Sequence, residues 1–174
     1  MAAKLYIRIV KTAFLSGVVT FLLLGIAIAD EKGSDWSVSC GDEKNAQTCR
    51  MEQKLFAQKE VDGQQQTIGK VLSLTILYVG KDSREPVLVM DLPLGVDLRP
   101  GMVLRIDGGK ETNAPYLQCT KNGCSSNLRL TSQMVNTLRR GLMLQVGFRP
   151  WGSPKLMTVE ASLKGFSAAF ARLR

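Results

Sequence analysis

Four cysteines, Cys40, Cys49, Cys119 and Cys124, are the residues of this chain best suited to chemistry. Three uses compete for them. As thiolates they would hold zinc, which structural sites take at spacings such as C-x2-C or C-x4-C. Cys119 and Cys124 fit that spacing loosely, and Cys40 and Cys49 do not. A thiol–disulfide redox pair would need C-x-x-C, which is absent. In an oxidising compartment an even number of thiols reads as bridges. Between Cys119 and Cys124 lies Thr120-Lys121-Asn122-Gly123, a polar link with an Asn-Gly turn signal. A hairpin there sets the two cysteines face to face, within reach of a disulfide. Cys40 and Cys49 likewise flank a polar loop, Gly41 to Thr48. The expected pairing is therefore Cys40–Cys49 and Cys119–Cys124, each contributing about 2–3 kcal/mol by shortening the free unfolded chain.

Other reactive groups are scarce. The chain has no histidine, which removes Ser-His-Asp and Cys-His nucleophile activation and imidazole metal sites. Asp35, Asp42, Glu43, Asp82, Glu85 and Asp91 remain as members of a conceivable glycosidase pair, but their spacing singles out no two. Gly108-Gly109-Lys110 lacks the rest of a phosphate-cradling loop and reads as a hairpin turn. The expectation is a protein without enzymatic activity and without a cofactor.

The first twenty-nine residues have the layout of an export signal. Lys4, Arg8 and Lys11 give a basic start, and Thr12 to Ala29 is an uncharged apolar stretch. It closes on Ala27-Ile28-Ala29 and turns polar at Asp30, so a signal peptidase is expected to cut between Ala29 and Asp30. An uncleaved anchor is the competing reading. Residues 30–174 then form one domain, with no later run long enough to span a membrane as a helix.

Charge is unevenly placed along that domain. Residues 30–116 carry 11 basic and 14 acidic side chains, whereas residues 117–174 carry 9 basic side chains and one acid, Glu160. Lys121, Arg129, Arg139, Arg140, Arg149, Lys155, Lys164, Arg172 and Arg174 would, if gathered on one side, attract anionic lipid, lipopolysaccharide phosphate or sulfated glycan. If the two halves intermix, the same charges merely solvate the exterior. Nucleic acid is a poor partner, because no aromatic and basic stacking platform is evident.

The elements that must position these residues read mainly as strands. Trp36 to Cys40 alternates, Cys49 to Gln58 resumes, and Val71 to Val79 places Leu72, Leu74, Ile76 and Tyr78 on one face. Pro86 to Asp91 is a short apolar run, and Arg99-Pro100-Gly101-Met102 suits a type II turn. Leu142, Leu144, Val146 and Phe148 share a face, as do Met157, Val159, Ala161 and Leu163. Thr131-Ser132 caps a short helix bearing Met134, Val135 and Leu138, with Gly141 placed to end it. Phe166, Phe170 and Leu173 have the spacing of a second short helix. Glu60 to Thr67 reads as a mobile loop, and Trp151, between Pro150 and Pro154, as a lid on the core. The fold class is mainly β: an antiparallel β-sandwich or jelly-roll-like barrel with two short helices.

Several of these pieces together resemble a known family. Trp36-Ser37-Val38-Ser39-Cys40 with Cys49, and Leu92-Pro93-Leu94-Gly95-Val96 followed by Pro100-Gly101, occur in order. Cys119 with Cys124, Gly141 before an apolar strand, and Ser162-Leu163-Lys164-Gly165-Phe166-Ser167-Ala168-Ala169 complete the set. This pattern resembles the invasion-associated locus B family over nearly all of residues 30–174. The resemblance implies a β-rich, exported, envelope-associated protein of alphaproteobacteria, located in the periplasm or at the outer membrane and cell surface. In pathogens it implies a part in host-cell entry, notably of erythrocytes. The leader, the stapled strands, the missing histidine and the late basic excess add the expectation of a non-enzymatic protein that supports invasion by binding an envelope or host-surface component. It supplies no catalytic residues, and the four cysteines carry over as stabilising pairs. A periplasmic structural or chaperone-like factor without host contact is the alternative, and a carboxylate-dependent hydrolase a third.

Overall fold

Ten strands and two helices occupy the described residues, 34–42, 48–80 and 85–173 of the computed structural model. The leader, the Ala29–Asp30 junction, Glu43, Asp82 and Arg174 lie outside the described residues. One sheet runs, in spatial order, β1 (Ser37–Cys40), β2 (Cys49–Val61), β3 (Gln64–Tyr78), β4 (Pro86–Leu92), β8 (Gly123–Arg129) and β7 (Tyr116–Thr120). The other runs β10 (Met157–Ser162), β9 (Met143–Phe148), β5 (Met102–Ile106) and β6 (Thr112–Ala114). Every pairing is antiparallel.

Alternation in the sequence produces the two inner faces. Met51, Leu72, Leu74, Ile76, Leu88 and Met90 of the first sheet share one core with Met102, Leu104, Leu144 and Val146 of the second. All ten are essentially buried, and burying a side chain of this size contributes about 1.5–3 kcal/mol. The architecture is thus a two-layer sandwich of six and four strands.

Both expected disulfides are present. Cys40 faces Cys49 across β1–β2, and Cys119 faces Cys124 across β7–β8, with Cα atoms 3.9 and 4.0 Å apart. No cysteine is left free.

One end of the sandwich is closed by aromatic rings. Helix α2 (Phe166–Ala171) brings Phe166 edge-on to Trp36 at 5.3 Å and stacks it on Phe170 at 5.7 Å. Phe170 reaches Tyr78 at 6.4 Å, and the Trp36 indole N–H donates to the Ser162 carbonyl at 3.0 Å. Gly165, at φ 81°, makes the approach: a Cβ there would run into Ser34, in a conformation that L side chains resist. Helix α1 (Ser132–Arg140) is capped by the Thr131 hydroxyl, which accepts the Met134 amide, and buries Val135 and Leu138.

Three expectations need correction. Gly141 follows α1 but has φ −74°, so the left-handed stop is not used. Glycine is required there by space, because a Cβ would lie 2.7 Å from Ile106 and 2.9 Å from Leu163. Leu142 does not share the core face of Leu144, Val146 and Phe148; it is 79% exposed, because β9 begins only at Met143. The segment Glu60 to Thr67 is a hairpin tip and not a loop: β2 and β3 run through it and turn at Asp62-Gly63. Both turn residues have positive φ, 53° and 76°, which Asp-Gly adopts readily and which a two-residue hairpin needs.

The last finding creates an arm. β1 pairs with β2 only over residues 49–52, and β4 pairs with β3 only over residues 73–78. Beyond those limits β2 and β3 continue as a two-stranded ribbon, with Phe56 and Ile68 exposed on it. It leaves the sheet at the end where β4 runs out, since Ser73 pairs with Asp91.

Candidate interaction surface

Among the described residues, ten large apolar side chains are exposed, and seven come from one end of the sandwich. Phe56 and Ile68 belong to the arm, Leu94 and Leu98 to the loop after β4, and Trp151, Leu156 and Met157 to the segment after β9. Scattered exposed leucines need no explanation, but concentration at one end does. This end is therefore the candidate site. The expectation that Trp151 covers the core is wrong, since the ring is 70% exposed. Phe148, three residues earlier at the end of β9, fills the core instead.

The two loops are rigidly joined. The Trp151 amide donates to the Gly95 carbonyl and the Asp97 amide to the Arg149 carbonyl, both at 2.8 Å, and Val96 bridges Pro150. Beneath them lies Asp97, 3% exposed and held by two guanidinium groups. Arg99 donates Nε and Nη2 to its two oxygens at 2.8 and 2.7 Å, and Arg149 donates Nε at 3.0 Å. The Arg99 hydrogen bonds, with the charges of both arginines, hold the Asp97 carboxyl well below the usual carboxylate range. Nearby, the Tyr116 hydroxyl is buried without a hydrogen-bond partner among the described residues. Burial first, and the Asp97 charge second, push it up to about 12.

Arg99 is consequently fixed at one end and open at the other. Its side chain is 78% exposed while Asp97 pins the guanidinium, which sits 5.9 Å from the centre of the Trp151 ring. A planar cation beside an exposed indole, both preorganised, is the kind of pairing that carries binding energy in protein interfaces. Sequence reasoning missed Arg99, because it lies in the half of the chain with an acidic excess.

The cations singled out from sequence are divided between the two ends of β9. Arg149, ion-paired with Asp97, and Lys155 belong to the loop end. Arg139 and Arg140 finish α1, Lys164 precedes α2, Arg172 caps it, and Arg129 ends β8 shortly before α1. Arg139 lies over the Phe170 ring at 5.0 Å, and Arg140 donates to the Asn136 carbonyl at 3.3 Å. Lys121 sits in the β7–β8 turn. The carboxylates are equally dispersed. Glu85 and Asp91 mark opposite ends of β4, and three strand spacings, about 14 Å, separate β4 from the edge strand that Asp35 and Asp42 flank. Asp91 itself accepts the Ser125 hydroxyl.

Comparison with known proteins places this geometry in a family. The sequence model of the invasion associated locus B (IalB) protein family matches residues 36–174. The chain belongs to that family. The loop motif Leu92–Val96 with Pro100-Gly101 and the Gly165-Phe166 closure both fall within the matched residues. Two invasion protein B homologues of Brucella abortus, from strain 2308 and from biovar 1 strain 9-941, are each 29% identical over 150 residues. Each alignment covers 86% of this chain and 82% of the relative. The crystal structure of invasion associated protein B from Bartonella henselae superposes with a TM-score of 0.62 at 23% identity. It covers 81% of this chain and 92% of that one, which establishes a shared β-rich fold.

Proposed function

We propose that this member of the invasion associated locus B family is an exported, non-enzymatic binding protein of the cell envelope that supports invasion of host cells. Its docking surface is the loop end, and the target is an anionic component of the envelope or host surface. The observation that carries this reading is the Arg99–Trp151 pair locked on Asp97, in two loops that are tied by backbone hydrogen bonds and also expose Leu94, Leu98 and Leu156. Arg99 and Lys155 are the exposed cations of the two loops, and the one acid in those loops, Asp97, is buried and neutralised by its arginines. Apolar side chains with a Trp among cations favour contact with an anionic, partly apolar surface.

The experiment is binding of the oxidised exported protein to host membranes and to bacterial envelope extract. Trp151→Ala with Arg99→Glu is expected to remove most binding, and added salt to weaken what remains. Retained binding in that variant, with loss in Arg139→Glu/Arg140→Glu instead, would move the surface to the helical end. Binding to envelope extract alone would favour a periplasmic factor without host contact.

A further inference from the structure

The arm has two edges, and they are not alike. The ladder between its strands jumps at Leu55/Phe56 and at Ala57/Gln58, and both jumps leave the extra residue, Val71 and then Ile68, on β3. Two bulges so close together blunt the β3 edge against further pairing. β2 runs through the same stretch without interruption. Among the described residues nothing pairs with its outer edge beyond Glu52, because β1 begins only at Ser37, opposite Glu52. The chain before Ser37 turns away, with the Asp35 amide on the Lys164 carbonyl. What that free edge offers follows from the ladder. The Gly41 amide donates to the Thr48 carbonyl, so the main-chain groups of every second residue from Thr48 face the β1 side. Beyond β1 those residues are Lys54, Phe56, Gln58 and Glu60. The turn at Asp62-Gly63 requires the same parity, since Val61 and Gln64 flank it and pair with each other.

This edge is complementary to itself. Laid antiparallel on a second copy with Ala57 at the twofold axis, it sets Lys54 against Glu60 and Phe56 against Gln58, each twice. Both pairings bring outward amides and carbonyls opposite one another. Glu60 is exposed, and Lys54, which its own Glu52 holds at 3.1 Å, keeps half its side chain in solvent. Neighbouring registers are poorer. With the axis at Phe56, Glu60 would meet Glu52, which β1 already covers; with the axis at Gln58, Lys54 would meet Asp62 in the turn. A two-stranded ribbon is only marginally stable alone in water, so added strands support the arm. We infer that the arm is a homodimerisation element, in which β2 of one copy adds antiparallel to β2 of a second and joins the two six-stranded sheets edge to edge. The loops carrying Arg99 and Trp151 take no part, so this inference stands or falls separately from the proposed function.

Sedimentation equilibrium of the oxidised exported protein tests it. A monomer–dimer equilibrium is expected with a Kd of about 1–100 µM, the strength of a contact smaller than a standard interface. Gln58→Pro removes an amide that points only toward the second copy, so it is expected to abolish the dimer while the monomer still unfolds cooperatively in urea. Lys54→Glu and Glu60→Lys each set like charges opposite one another, and each alone is expected to weaken association about tenfold. Mixed one to one, these two variants are expected to associate as the natural protein does, because every changed charge then meets its opposite. The inference is overturned if the natural protein stays monomeric at about 100 µM, or if folded Gln58→Pro dimerises as before. It is equally overturned if mixing the two charge variants restores nothing. A dimer that survives Gln58→Pro but is lost in Arg99→Glu/Trp151→Ala would place the contact on the docking loops and sink it as well.

Discussion

The two ends of the sandwich use the same residue types for opposite purposes. At the helical end Trp36, Phe166, Phe170 and Leu173 are buried and interlocked. At the loop end Trp151, Leu94, Leu98 and Leu156 stand in solvent. The aromatic end has two helices and a glycine at the start of α2, Gly165, that let rings close over the sheets. The loop end has short turns tied to each other by backbone bonds, so its side chains have nowhere to fold back to. Hydrophobicity alone does not decide burial; the backbone that carries it does. One end therefore supports the fold, and the other is left free to bind.

The largest expected effect separates the two ends outright. Phe166→Ala should cost about 3–5 kcal/mol in urea unfolding, whereas Trp151→Ala should change stability by less than about 0.5 kcal/mol. Equal effects would erase the distinction. Next come the disulfides. Replacing Cys40 and Cys49 by Ser should lower stability by about 2–3 kcal/mol, with a similar figure for Cys119 and Cys124. Both pairs are expected to be found oxidised by mass spectrometry of the exported protein.

Smaller effects sharpen the electrostatics of the loop end. Asp97 ionises more easily in the folded protein than in the unfolded chain. Its contribution is therefore fully present above the ordinary carboxylate range and is lost as pH falls through the lowered folded value. The stability gap between the natural protein and Asp97→Asn should accordingly narrow on acidification; a gap that widens would contradict the ion-pair geometry. Tyr116 has the opposite sign. Its phenol is raised from 10.0 to about 12, so the stability it carries is intact below pH 10.0 and declines as pH rises toward 12. Phenolate absorbance should show a late step that Tyr116→Phe removes.

Much of this fold was legible in the sequence. The disulfide pairing followed from an Asn-Gly turn, the core strand β3 from Leu72, Leu74, Ile76 and Tyr78, and α2 from the spacing of Phe166 and Phe170. The arm was hidden because its Gln-rich strands have no apolar alternation. The only signal was Asp62-Gly63, whose backbone freedom makes the turn. The loop end was hidden for a different reason. Arg99 and Trp151 are 52 residues apart and meet only because β4 and β9 run out on the same side, so neither charge counting nor local pattern could join them.

Fluorescence from Trp151 offers the most direct test of the loop end as the docking surface. Trp36 is buried and Trp151 exposed, so iodide quenching of the free protein reports chiefly on Trp151. On saturation with host or envelope membranes, quenching should fall sharply and emission shift to the blue, and Trp151→Ala should abolish both changes. Protein that is fully membrane-bound while Trp151 stays as quenchable as before would contradict the account.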